Sequence, residues 1–434
     1  MGSQRVFNMV SSPFLRRLFS LRHFASFEVV FALFLFAGVY KASPHLDWAP
    51  YDLTATFAAL VSLAAVFLFL TGRVDFRIEP LLLASLLAMF VAYALFSLRW
   101  SPGDGYATEK AFRLVSVTTL SFLGCAFVVS QSRVRLRRFL AVTLVLATIT
   151  AVAALRILYL HGPVRIEPFN TVYLTTGRMI GFGVVIVGTY LLFVSRSIWR
   201  SLVGVSLFVP LLVALSVLDG RGPFAAAIIT VGLLIPLALV VTPLRYWPIR
   251  LVPVVGAIGS IGALLYYFRD TLRLVEKFES IFARNTDPSY ANRIDYIATG
   301  IDVWLSGNTV VGHGLGSWPA VSGHRAHWPH NIVIELLVEL GLVGTGLFFF
   351  LVLIGLYFTI EGYLTTLEPE YVAVFAILCY TFLNALVTGN FNDNRFLFAA
   401  IGLLCYRVDA GTVPPLPSLT DIRVGLRNSY SSRE

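Results

Sequence analysis

The sequence predicts an all-α polytopic membrane protein, with about twelve transmembrane helices and one large helical loop outside the membrane between the ninth and tenth. Three observations predict it. Of the 434 residues, 57% are hydrophobic and only 13% charged, with mean hydropathy +0.79; a soluble domain carries roughly 25% charged residues. Apolar runs of about 20 residues, the length that crosses a hydrocarbon core as a helix, recur along the chain. Lys and Arg concentrate in alternate loops, the asymmetry that orients a membrane protein. The net charge of +9 therefore reads as membrane topology and not as nucleic-acid binding.

The elements follow in order. Residues 1–25 form a basic arm with Arg5, Arg16, Arg17 and Arg22, lacking the small-residue cleavage site of a signal peptide. Nine spans fill 26–267, near 26–42, 52–71, 80–98, 107–129, 138–160, 171–195, 199–218, 223–242 and 248–267. The external loop occupies 268–329. Three further spans, near 330–360, 370–388 and 395–409, fill 330–409, and a tail runs from 410 to 434. The basic clusters at Arg73/Arg77, Arg133–Arg138, Arg196/Arg200, Arg245/Arg250 and Arg407–Arg433 all share the side of the amino-terminal arm, so both termini are expected in the cytoplasm. The tenth loop is acidic, with Glu361, Glu368 and Glu370, and does not contribute to the asymmetry.

Within 268–329, the stretches 272–284 and 292–305 have helical periodicity and are separated by Asn285-Thr286-Asp287-Pro288. Arg293 opens the second, whose Ile294, Ile297, Ile301 and Leu305 share a face. A glycine-rich stretch follows, with Gly312, Gly314, Gly316 and Gly323 interleaved with His313, His324, His327 and His330. These histidines have no zinc-ligand spacing and no interleaved acidic partner, so no metal site is expected. Cys125, Cys379 and Cys405 lie in apolar segments and imply neither a disulfide framework nor a metal site.

Positive charge is disfavoured on the translocated side, yet Arg99, Lys110, Arg113, Arg156, Arg165, Arg178, Arg221 and Arg395 lie at or near outer span ends. Some are interfacial side chains that reach for water. Arg178 lies deeper and requires a partner or a cavity. Arg221, in Asp219-Gly220-Arg221-Gly222-Pro223, reads as a tight outer turn that a ligand can approach closely. Several guanidinium groups converging on one cavity suit a diphosphate, through bidentate charge-assisted hydrogen bonds. Asn331, Glu335 and Glu339 recur every four residues on span ten, and the two carboxylates are expected to pair with an arginine such as Arg156 or Arg178. Gly341, Gly344 and Gly346 permit close helix packing. His330 follows Pro329 at the start of span ten. There the helix dipole disfavours imidazolium and keeps the ring neutral, as a general base requires.

Arg293, then Val311-Gly312-His313-Gly314-Leu315-Gly316, His330-Asn331 and Glu339-Leu340-Gly341-Leu342-Val343-Gly344 resemble, in order, the signature of the O-antigen ligase and polymerase superfamily. Arg221 is similar to that family's earlier outer arginine, although Pro223 departs from the small apolar residue usual there. The motif resemblance covers roughly 221–344, and the hydropathy profile resembles the family's over the whole length. It implies a fold of the lipid-linked glycosyltransferase (GT-C-like) kind, in the bacterial inner membrane with a periplasmic active site. It implies transfer of a glycan from undecaprenyl diphosphate to lipid A–core, inverting, with no metal or other cofactor. His330 then corresponds to the family's essential histidine, and Arg221 and Arg293 to its essential arginines. Arg178, Arg156, Arg113, Arg395, Asn331 and His313 are the candidate substrate-binding residues. Glu335, Glu339, Gly341 and Gly344 are structural. The alternatives are an O-antigen polymerase, a protein O-oligosaccharyltransferase and, in another class, a transporter of lipid-linked glycan. A transporter usually shows two related halves, which this chain lacks.

Overall fold

A computed structural model of the chain describes residues 26–46, 48, 51–162, 166–218, 220–267, 288–392 and 394–408. The regular elements among these are all helical: α1 (Phe27–Tyr40), α2 (Leu53–Leu70), α3 (Ile78–Phe96), α4 (Gly105–Gln131, through a π-turn at Leu114–Thr118), α5 (Arg133–His161), α6 (Tyr173–Thr189), α7 (Ile198–Val217), α8 (Arg221–Val241), α9 (Trp247–Tyr267), α10 (Pro288–Ser306), α11 (Trp318–Val321), α12 (Ile332–Thr366), α13 (Pro369–Ala385) and α14 (Arg395–Leu403). The amino-terminal arm, the tail, the helical segment expected at 272–284 and Arg165 lie outside the described residues.

Each of the twelve apolar segments is helical, but only nine described helices are long and apolar enough to cross a membrane. α1 and α13 are shorter, at 14 and 17 residues. The span expected at 395–409 is corrected. α14 has nine residues, about 14 Å of helix against a core of about 30 Å, and residues 404–408 are not helical. It packs on α4 so closely that a Cβ at Gly402 would fall 2.4 Å from the Phe122 carbonyl oxygen.

Local chemistry sets the helix starts. Asp52, Asp104, Ser132 and Ser197 each accept, on a side-chain oxygen, a hydrogen bond from a first-turn backbone N–H. Packing then arranges the helices by their small residues. α6 is the centre of the bundle: 78% of its apolar stretch is buried, against 6% for the peripheral α2. Its glycines make this possible, since a Cβ at Gly181 would fall on the Tyr380 hydroxyl and one at Gly188 would lie 3.0 Å from Val231.

One end of the bundle is laced by ion pairs. Glu28 receives Arg135 and Arg138, Arg133 pairs with Glu368, Arg137 with Glu370, and Arg407 with Glu79 and Glu361. The acidic tenth loop, which contributed nothing to the charge asymmetry, thus supplies counter-ions to the basic ones.

At Gly341 the backbone of α12 leaves the helix, with φ +62° and ψ −163°. The loop 308–316 fits into this break. Its His313 and Gly314 N–H groups donate to the carbonyls of Val338 and Glu339 (2.9 and 2.8 Å), while Leu342 and Val343 donate to Thr309 and Val310 (both 3.0 Å). A Cβ at Gly341 would lie 2.4 Å from the Val310 oxygen, and one at Gly312 would lie 2.5 Å from the Gly341 nitrogen. Both are glycines because positive φ and backbone-to-backbone packing leave no room for a side chain. The expectation of close packing is met at Gly344, against Tyr93 and Leu340, but not at Gly346, which has nothing within 4 Å.

Candidate functional site

The loop anchored at the break leads back to His330. Asn331 is the N-cap of α12, its Oδ1 accepting from Val333 (3.0 Å) and Ile334 (3.2 Å). Its side-chain oxygen is committed to the cap and its backbone is extended (φ −144°, ψ 117°), which corrects the expectation of a helix face shared with Glu335 and Glu339. His330 therefore precedes the helix instead of beginning it, in a left-handed conformation (φ +57°) that a non-glycine residue rarely adopts. Such strain persists only where the surroundings impose it, and it clusters at functional sites.

The surroundings are aromatic and cationic. Tyr296 of α10 stacks on the imidazole (6.1 Å between centroids, 19° between planes). Trp328 meets it at 67°, and its Nε1–H donates to His330 Nδ1 at 3.2 Å. Burial, with Arg293 and then Arg178 nearby, pulls the imidazole down from its ordinary 6.5 to about 4. The neutral ring expected from the helix dipole is therefore obtained, but mainly by desolvation and two guanidinium groups.

The arginines arrive from separate helices. Arg293 lies in the second turn of α10, which begins at Pro288 and not, as expected, at residue 292. Arg178 of α6 donates to the Thr388 carbonyl (3.2 Å) and lines a small cavity with Phe182, Tyr380, Asn384, Asn394 and Phe396. Arg221 is the first residue of α8, not a residue of a free turn. Pro223 lies in that helix's first turn, where a missing N–H costs nothing, and packs against Gly177 beside Arg178. Gly222 abuts Val387, the neighbour of Thr388, so Arg221 and Arg178 come to the same short segment. Arg395 begins α14, with its guanidinium over the rings of Phe34 and Phe396.

Other expected members lie elsewhere. Arg113 is exposed and pairs with Glu109, and Arg156 is exposed on α5. His313 turns a ring nitrogen to the Val338 carbonyl (3.2 Å) and packs over Gly307, so it fastens the loop.

The carboxylates of Glu335 and Glu339 pair with Lys110 of α4, which corrects the expectation of an arginine. Lys110 Nζ lies 2.5 Å from Glu335 and 2.7 Å from Glu339, all three side chains being fully buried. Glu335 also accepts the Phe391 N–H and Glu339 the Gly316 N–H, both at 2.8 Å. One network thus ties α4, α12, the glycine loop and the α13–α14 connection together. The sequence signal was present in two carboxylates needing a cation on an apolar helix, but several cations at outer span ends could have answered it.

Among the described residues, no group of three or more His, Cys, Asp or Glu side chains could hold a metal ion. Tyr296 and Trp328 join the site through ring geometry that the sequence does not specify. Residues 220–349 match a protein-family model described as O-antigen ligase, a stretch running from the start of α8 through the loop and into α12. No curated protein matches the chain.

Proposed function

We propose, from the match of residues 220–349 to the O-antigen ligase family model, that the chain moves an O-antigen glycan from undecaprenyl diphosphate onto lipid A–core. The observation that carries this reading is a neutral, strained His330 set among guanidinium groups inside the matched region. The acceptor hydroxyl attacks the anomeric carbon and gives its proton to the imidazole. The bond from that carbon to the diphosphate breaks, and the negative charge developing there is stabilised by Arg221 and Arg293, with Arg178 near them. A single displacement inverts the anomeric configuration. Lys/Arg asymmetry supports an inner-membrane protein with both termini cytoplasmic and the His330 end in the periplasm.

The test is reconstitution of the purified protein with lipid-linked glycan and, in turn, lipid A–core, a second lipid-linked repeat unit and an acceptor peptide. Transfer to lipid A–core alone is expected. Transfer only to the repeat unit makes the protein a polymerase, and transfer only to the peptide makes it a protein glycosyltransferase.

Three outcomes follow. Impermeant labelling of single cysteines, in a background lacking the native three, should reach positions 308 and 324 from outside and not 135; labelling at 135 would reverse the orientation. Arg221→Lys and Arg293→Lys should each lose about 10–100-fold in transfer, because a lysine keeps the charge but not the planar fork. Equal rates at equal expression would remove these arginines from the phosphate site. Activity should persist in excess EDTA, since the described residues hold no group of three or more His, Cys, Asp or Glu side chains placed to bind a metal and Glu335 and Glu339 are spent on Lys110; loss on chelation with rescue by Mg²⁺ would overturn a metal-free reaction.

A further inference from the structure

The indole of Trp328 has one hydrogen-bonding group, an N–H, and it is directed at His330 Nδ1. That contact exists only when Nδ1 carries a lone pair and no proton. The neutral ring is then protonated at Nε2, whose own electron pair belongs to the aromatic system. Nδ1 is therefore the basic nitrogen of His330, and the indole occupies it.

We propose that Trp328 is a positioning residue that holds His330 as the Nε2–H tautomer and covers its basic nitrogen until an acceptor hydroxyl displaces the indole. The step that follows rests on the transferase reading above. The acceptor's proton passes to Nδ1, its oxygen bonds to the anomeric carbon, and the diphosphate departs with the electron pair of the broken bond. Proton loss to solvent restores the neutral ring. Water entering the site without an acceptor meets a base already engaged, so the arrangement protects the lipid-linked glycan from hydrolysis.

The geometry around the pair supports this assignment. Pro329 between the two residues is buried, and the backbone at His330 is left-handed, so the pair is held in a defined local conformation. Trp328 is backed by His327 (6.1 Å), which stacks on Tyr106 of α4 (5.2 Å). The charged and titratable groups facing His330 are Arg293 and Tyr296 from α10 and Arg178 from α6. The arginines have no acceptor that would favour an Nδ1–H tautomer. Behind Tyr296 lie His324 (4.7 Å) and its partner Asp295.

The first measurement needs no substrate. Nitrogen-15 spectra of histidine-labelled protein in nanodiscs, with the His330 signals identified by their loss in His330→Gln, should show an unprotonated Nδ1 and a protonated Nε2 at neutral pH. A protonated Nδ1 in the wild type overturns the proposal, whatever the protein's activity. The second measurement uses Trp328→Phe, which keeps an aromatic ring and deletes the N–H. Its Nδ1 signal should move toward a mixture of tautomers. The acid limb of its pH–rate profile should rise by up to about one pH unit, because the deleted hydrogen bond stabilised the neutral ring. Release of glycan from undecaprenyl diphosphate into water, with no acceptor present, should increase several-fold. A variant that folds and leaves the tautomer, the acid limb and the hydrolysis unchanged overturns the proposal. A wild type with the expected tautomer and no transfer to any acceptor sinks the transferase reading instead.

Discussion

Replacing His330 with alanine is expected to slow transfer by about 10²–10⁴-fold, the worth of a positioned acid–base group. Glutamine is the sharper variant. It can accept the Trp328 N–H and cap the same space, but it cannot take up a proton. His330→Gln should therefore fold and bind the donor lipid while failing to transfer; transfer near the wild-type rate at matched expression removes His330 from the mechanism. The pH dependence has a definite sign. The base works when neutral, and its lowered value of about 4 in the free protein places the acid limb of kcat/KM there, well below the ordinary 6.5. On the proposed reaction, an anionic diphosphate between the arginines would cancel their repulsion of imidazolium, so the limb in kcat should lie higher than the limb in kcat/KM. The same shift acts on stability. As pH falls from about 6.5 toward about 4, the unfolded chain takes up the proton before the folded one, and the folded state loses stability over that window.

Lys110→Met is expected to destabilise the protein by about 3–5 kcal/mol, the usual cost of leaving a buried ion without its partner. Here two carboxylates, Glu335 and Glu339, would lose their shared cation in a fully buried site. The loss should spread, because Glu339 also holds the Gly316 N–H and Glu335 the Phe391 N–H. In detergent, the variant should show a lower unfolding midpoint and a smaller monodisperse fraction. Adding Glu335→Gln and Glu339→Gln removes the orphaned charges and should recover part of that loss. An unchanged midpoint in Lys110→Met alone would show that the network does not hold these segments together.

Much of this was readable residue by residue. His330, Arg221 and Arg293 stand out because a histidine and arginines at outer span ends need a reason, and their order in the chain matches a family pattern. Lys110 was visible only as one more outer cation. Its partners are 225 and 229 positions away, and nothing local distinguishes it from Arg113, one turn on, which is exposed and pairs with Glu109. His313, equally prominent beside glycines, fastens a loop to the Val338 carbonyl.

The sequence by itself determined the membrane class, the positions of the apolar helices and the side on which the basic loops gather. Each depends on a window of about 20 residues and its transfer from water to hydrocarbon, which is additive and local. Only the tertiary structure decided that Gly341 opens α12 to admit the 308–316 loop, that Lys110 answers both glutamates, and that Trp328 addresses Nδ1 of His330. Each of those is a contact between backbone or side-chain groups whose partner is chosen by packing. Directional hydrogen bonds and buried charges depend on distances of a few tenths of an ångström, which no property of a single stretch of chain specifies.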